Sequence, residues 1–360
     1  MIPDHVLDAA GPADARGVAV DATSALFLGL RHPTAALRPW RSLTTGVPGA
    51  LREAPAARRV AALVAAGQGA PAGLVARSAL HALVDVLGGL PVRGDVVVLD
   101  SACYPLARWA SLLARQRGAR VMTYPHHRPD LVPAPRHGRL FVVTDGWCPG
   151  CRRAAPLARL REAARAHGGV LVVDDSLAYG VLGARRPGEG FGDGTGTPRW
   201  CGIDHRDVLW VASLAKAHGA PLAVVTGAAD VLAPLAGYGH TRVHASPPSA
   251  ADLAAAERAL TDPTTDRARR RLLRHVRRVQ RALDDTDPPF PIADTWFPIT
   301  GQAHRQHARM LAHGVRAVVQ RPRCLPGALV SAMIRADHTD HDIELITSAL
   351  RATRDRRTAS

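Results

Sequence analysis

Apolar residues in the middle of the chain come in short, nearly continuous runs separated by stretches of helical periodicity. The runs are Val96–Asp100, Arg120–Tyr124, Leu140–Asp145, Val170–Asp175, Val208–Leu214 and Leu222–Gly227. They are Val-rich and lack apolar/polar alternation, the pattern of strands covered on both faces. Between them, Pro105–Arg117, Ala154–His167 and Ala229–Gly237 read as helices, preceded by Ala56–Ala66 and Ala76–Leu87. This alternation predicts an α/β fold with a mostly parallel sheet between helices. The flanks differ. Residues 1–48 are punctuated by Pro and Gly and read as an N-terminal arm. From Ser249 to Asp284 the pattern is helical, broken at Pro263. Strand-like pieces Thr295–Ile299 and Ala328–Ile334 and helices Gln302–His313 and Asp340–Ala352 follow, as in a smaller α+β domain. Residues 187–198 are Gly-rich and read as a loop. The expected division is an arm at 1–48, a large domain at 49–246 and a small C-terminal domain at 247–360.

With 360 residues, 47% of them hydrophobic and 21% charged, the chain has enough apolar material for a sizeable core. No run of about 18 apolar residues marks a membrane span. The first residues lack a basic stretch followed by an apolar one, so a cytoplasmic protein is expected. The formal charge of +15 raises nucleic acid as a partner. However, the densest basic run, Arg267–Arg281, alternates with Leu, Val and His at helical spacing and reads as a solvated helix face. Four Tyr and five Phe leave few platforms for stacking bases, so neither nucleic acid nor a membrane is expected as partner.

Of the 46 basic residues, 45 are Arg and one is Lys, at position 216. The two are near substitutes for surface charge but not for covalent chemistry. A guanidinium stays protonated, whereas a lysine amine can be tuned to attack a carbonyl. Lys216 follows the run Val208–Leu214, and Asp174 closes another, VLVVDD; both positions fall where sheets of this class gather their sites. Lysine, carboxylate, a nearby hydroxyl at Ser213 and the helix start at Ser78 and Ala79 are what a pyridoxal-phosphate site needs: an amine for the aldehyde, an acid for the ring nitrogen, and donors for the phosphate. Read alone, each has a simpler account, Asp174 as a strand-end cap and Lys216 as a surface residue.

LVVDDSLAYGVLG followed by WVASLAKAHGAPLAVVTG resembles the α-oxoamine synthase branch of fold-type-I pyridoxal-phosphate enzymes, within the aminotransferase class I/II superfamily. LFLGLRHP, TDGWCPGCRRAAPL, HASPPSA and RPRCLPGALVSAMIRADHT resemble further segments of that family in the same order, spanning most of residues 25–352. The resemblance implies an aspartate-aminotransferase-like fold and a homodimer with shared active sites. It implies that Lys216 carries pyridoxal 5'-phosphate as a Schiff base and that Asp174 pairs with the pyridine nitrogen. Ser213 would bind the phosphate, with Ser246 doing so from the neighbouring subunit. Ser78 and Ala79 fall at the phosphate-binding pair, and Tyr104 replaces the His that stacks on the ring. Asp145 either faces the cofactor or simply ends its strand.

Three further family positions depart from the pattern: Leu177 replaces a His, Pro149 a Ser, and Leu329 or Ser331 the Arg that grips the substrate carboxylate. Neither Leu nor Ser replaces a bidentate clamp. The implied activity is a transferase acting on a small amine or amino acid, aminotransferase-like or α-oxoamine-synthase-like. A lyase or aldolase and a non-catalytic protein on the same fold stay open. Cys148 and Cys151 form a C-P-G-C motif that also fits a redox module. Their flanks match the family loop, so they read as bystanders, and no metal site is expected.

Overall fold

The computed structural model describes residues 7–8, 17–37, 40–185 and 189–354. The first two residues of the Gly-rich stretch 187–198 lie outside these. Among the described residues no helix is long and apolar enough to cross a membrane. The chain divides into two compact units, residues 30–148 with 154–265, and residues 1–29 with 149–153 and 266–360.

The larger unit is built on a seven-stranded sheet. In chain order its strands are β1 (Ala72–Ala76), β2 (Val96–Asp100), β3 (Arg120–Tyr124), β4 (Leu140–Asp145), β5 (Val170–Asp174), β6 (Val208–Ser213) and β7 (Ala223–Gly227). They lie side by side as β1-β7-β6-β5-β4-β2-β3. The pairs from β6 across to β3 are parallel, and β7 is antiparallel to both its neighbours. The α/β expectation with a mostly parallel sheet therefore holds. Alternate residues of each strand feed two separate cores. Val96, Val98, Val142, Leu171, Val173 and Trp210 belong to one, and Val97, Leu99, Val143, Val172, Leu209 and Val211 to the other. Coverage on both faces explains why these strands show no polar alternation. Helix α1 (Pro55–Gln68) supplies the first core, and α2 (Ala79–Gly89) and α3 (Pro105–Gln116) the second.

Two local features differ from the sequence expectation. Strand β1, AGLVA, was not foreseen, because Ala and Gly have weak strand preference; it forms by pairing with β7 from Ala72↔Gly227 to Ala76↔Ala223. The following helix accordingly begins at Ala79 rather than Ala76, with Ser78 as its N-cap.

In the smaller unit an antiparallel sheet joins Leu7–Asp8, Val318–Gln320, β8 (Ala328–Met333) and Ile292–Phe297. Helices Thr300–Ala312 and Asp340–Arg354 pack within the same unit.

Candidate active site

Five strands bring the predicted residues to one edge of the large sheet. Across that edge Ala76 pairs with Ala223, Ala223 with Ser213, Val211 with Asp174, and Asp174 with Asp145. Ser78 lies two residues beyond Ala76, and Lys216 three beyond Ser213. Residues more than a hundred positions apart in sequence thus meet where a sheet of this class exposes its strand ends.

Lys216 occupies the tip of the β6–β7 connection. Leu214 donates its amide to the Leu222 carbonyl at 2.8 Å, Ala220 donates to the Leu214 carbonyl at 3.0 Å, and Gly219 donates to the Lys216 carbonyl at 3.3 Å. Gly219 has φ +65°, in the left-handed region, and a Cβ built there would lie 2.2 Å from the Leu30 carbonyl oxygen. Only glycine fits this turn. The Ser213 hydroxyl accepts from the Ala215 amide at 3.2 Å, while the Ser213 amide donates to the Ser176 hydroxyl at 3.0 Å.

Asp174 is buried, and its carboxylate accepts the Ser176 amide at 3.0 Å. Beside it, both Asp145 oxygens accept the Tyr104 amide, at 2.9 and 3.2 Å. Tyr104 caps α3, and the centre of its ring lies 6.0 Å from Lys216 Nζ. Desolvation lowers the Lys216 pKa from its ordinary value, outweighing the opposing pull of the Asp174 and Asp145 charges. Burial, then the Asp174 charge, raises Asp145 well above the usual carboxylate range. An amine that loses its proton readily, next to acids at the same sheet edge, can attack a carbonyl and afterwards accept a proton.

The N-terminus of α2 is the candidate phosphate subsite. The Ser78 hydroxyl is 2.8 Å from His81 Nδ1 and accepts the His81 amide at 3.4 Å. Ala79 is buried at the first helical position, and helix-start amides there suit an anion. Ser246 is exposed. Taken together, a desolvated amine, a buried acid, an aromatic ring and a helix N-terminus on one sheet edge match the donor set that pyridoxal phosphate requires.

Sequence reasoning overlooked Asp175 and Ser176, which follow Asp174 directly. Asp175 is fully buried, and its Oδ2 accepts from the Thr197 amide at 2.7 Å and Trp210 Nε1 at 3.0 Å. Burial pushes its pKa up to about 7, against those two bonds. The D-D-S triplet was the available signal: in an apolar strand, successive polar residues at the end must each find a partner. In the smaller unit, Leu329 and Ser331 lie buried on β8, and the Ser331 hydroxyl donates to Asp294. No disulfide joins Cys103, Cys148, Cys151, Cys201 and Cys324.

No family model matches the chain. An 8-amino-7-oxononanoate synthase of Acidithiobacillus ferrooxidans is 30% identical over 315 residues, covering 83% of this chain and 77% of the relative. That of Alkalilimnicola ehrlichii is 31% identical over 297 residues, covering 78% and 73%. Among solved structures, Sphingomonas wittichii serine palmitoyltransferase superposes with a TM-score of 0.78 at 20% identity, covering 93% of this chain and 88% of that one. The Francisella tularensis 8-amino-7-oxononanoate synthase gives 0.73 at 16% identity, covering 94% and 98%. The structural matches establish the fold, and the sequence relatives establish the family: this chain belongs to the α-oxoamine synthases, pyridoxal-phosphate-dependent transferases of fold type I.

Proposed function

We propose that the protein joins an acyl group to a small amine or amino acid at a site centred on Lys216. The observation that carries this reading is the desolvated Lys216 amine just beyond the strand that pairs with that of Asp174, with the Tyr104 ring 6.0 Å from Nζ. Bound pyridoxal phosphate supplies an electron sink for the α-carbon of the amino substrate. The chain's own residues do the rest. Lys216 Nζ would hold the cofactor at its aldehyde carbon, and the same amine would carry the α-carbon proton of the substrate. The Asp174 carboxylate holds a proton on the ring nitrogen. Tyr104 covers one ring face. Ser78, Ala79 and Ser213 bind the phosphate, and Ser246 joins them across a homodimer.

The amino substrate is not gripped by an arginine at position 329 or 331. Both side chains are buried, and Ser331 is engaged with Asp294. The substrate class is therefore one whose carboxylate is held elsewhere or is missing.

The test uses the chain's single lysine. Borohydride treatment of the yellow protein should fix the cofactor mass on the Lys216 peptide, and Lys216→Ala should abolish both the adduct and turnover. A cofactor that dialyses away after reduction overturns the reading. Titration with amines, amino acids and acyl thioesters, read by spectral change and thiol release, then identifies the substrates.

A further inference from the structure

Asp145 shares the strand-end row with Asp174, but its carboxylate is committed to a backbone amide. Both oxygens accept the N–H of Tyr104, 41 residues earlier in the chain. Tyr104 stands at a demanding point. Its backbone is extended, at φ −58° and ψ 144°, and the next residue, Pro105, opens α3 and has no N–H to offer. The Tyr104 carbonyl already accepts the Ala107 amide at 3.2 Å as the helix begins. The bonds from Asp145 therefore fix the peptide on the side facing the sheet edge. The ring is 43% exposed, so packing holds it less than its backbone does.

We infer that Asp145 is a positioning residue, which clamps the Tyr104 peptide and so sets the aim of the Tyr104 ring over the Lys216 site. The inference rests on the reading of Lys216 as the cofactor lysine. A side chain with two rotatable bonds can be aimed only as well as its Cα is fixed, and a hydrogen bond to a helix-cap amide fixes it at low entropic cost. The chemistry of the clamp is equally specific. Burial and the adjacent Asp174 favour the neutral form of Asp145. A neutral carboxyl still accepts the amide through its carbonyl oxygen, so an amide side chain of the same shape can replace it and a methyl group cannot.

Two measurements test this. In cofactor-free protein, hydrogen exchange at the Tyr104 amide should speed up roughly tenfold or more in Asp145→Ala and stay near wild type in Asp145→Asn, as loss of one hydrogen bond implies. Unchanged exchange in Asp145→Ala overturns the clamp, whatever the cofactor does. In loaded enzyme, Asp145→Ala should lower kcat about tenfold, while Asp145→Asn restores it to within about threefold. The Ala effect should vanish when Tyr104→Ala is already present. An equal loss in both Asp145 variants, or an equal cost of Asp145→Ala with and without Tyr104, overturns the positioning role. A wild-type protein that forms no lysine-bound cofactor defeats the functional reading instead, and the exchange result stands apart from it.

Discussion

Asp145 and Asp174 are direct register partners at the carboxyl ends of two parallel strands. Burial, and then the charge of Asp174 beside it, push the Asp145 carboxyl above the usual carboxylate range. The fold gives them different tasks. Asp174 accepts the Ser176 amide, while Asp145 takes the Tyr104 amide on both oxygens. Both acids oppose the desolvation of Lys216 without cancelling it.

Asp174→Asn should leave the fold intact and reduce turnover by about 10- to 100-fold, the effect of losing a charge-assisted hydrogen bond. Turnover measured at saturating pyridoxal phosphate separates this from weaker cofactor binding. Activity equal to wild type would remove Asp174 from the site.

Asp175 carries a pH signature. Its pKa is about 7 when folded, against an ordinary 3.8. Between those values the folded protein binds more protons than the unfolded chain. Its contribution is therefore favourable at acid pH and is lost as pH rises through about 7, by an amount on the order of a few kcal/mol. Asp175→Asn cannot ionise. Its stability relative to wild type, measured by urea unfolding, should improve from pH 5 to pH 8. A constant difference over that range would show that Asp175 titrates elsewhere.

Gly219→Ala should destabilise the protein by at least ~1–3 kcal/mol, because a side chain there is strained in the left-handed region and meets the Leu30 carbonyl. Since the turn presents Lys216, cofactor affinity should fall with stability. Thermal melting with and without cofactor reads both.

Ser78→Ala removes the cap of α2 and should cost about 1 kcal/mol of stability. It should also weaken binding of pyridoxal phosphate more than that of pyridoxal, which has no phosphate. Equal losses for the two ligands would move the phosphate away from this helix start.

Much of this was legible along the chain. The Val-rich runs fixed β2 to β7 to within a residue or two, since strands buried on both faces must be apolar throughout. Lys216 and Asp174 stood out because the residue types themselves are scarce there: a single lysine, and acids closing an apolar strand. Strand β1 was hidden because AGLVA has no strand preference of its own and is ordered by β7.

Local composition and spacing sufficed for the elements and for singling out Lys216 and Asp174 as candidates, because these depend on side-chain chemistry and short-range periodicity. The partnership of Asp145 with Tyr104, the burial of Asp175 against Trp210 and the need for glycine at 219 were decided only in three dimensions. Hydrogen bonds between distant strands and the space around a backbone turn are properties of the folded arrangement, and no short stretch of sequence contains them.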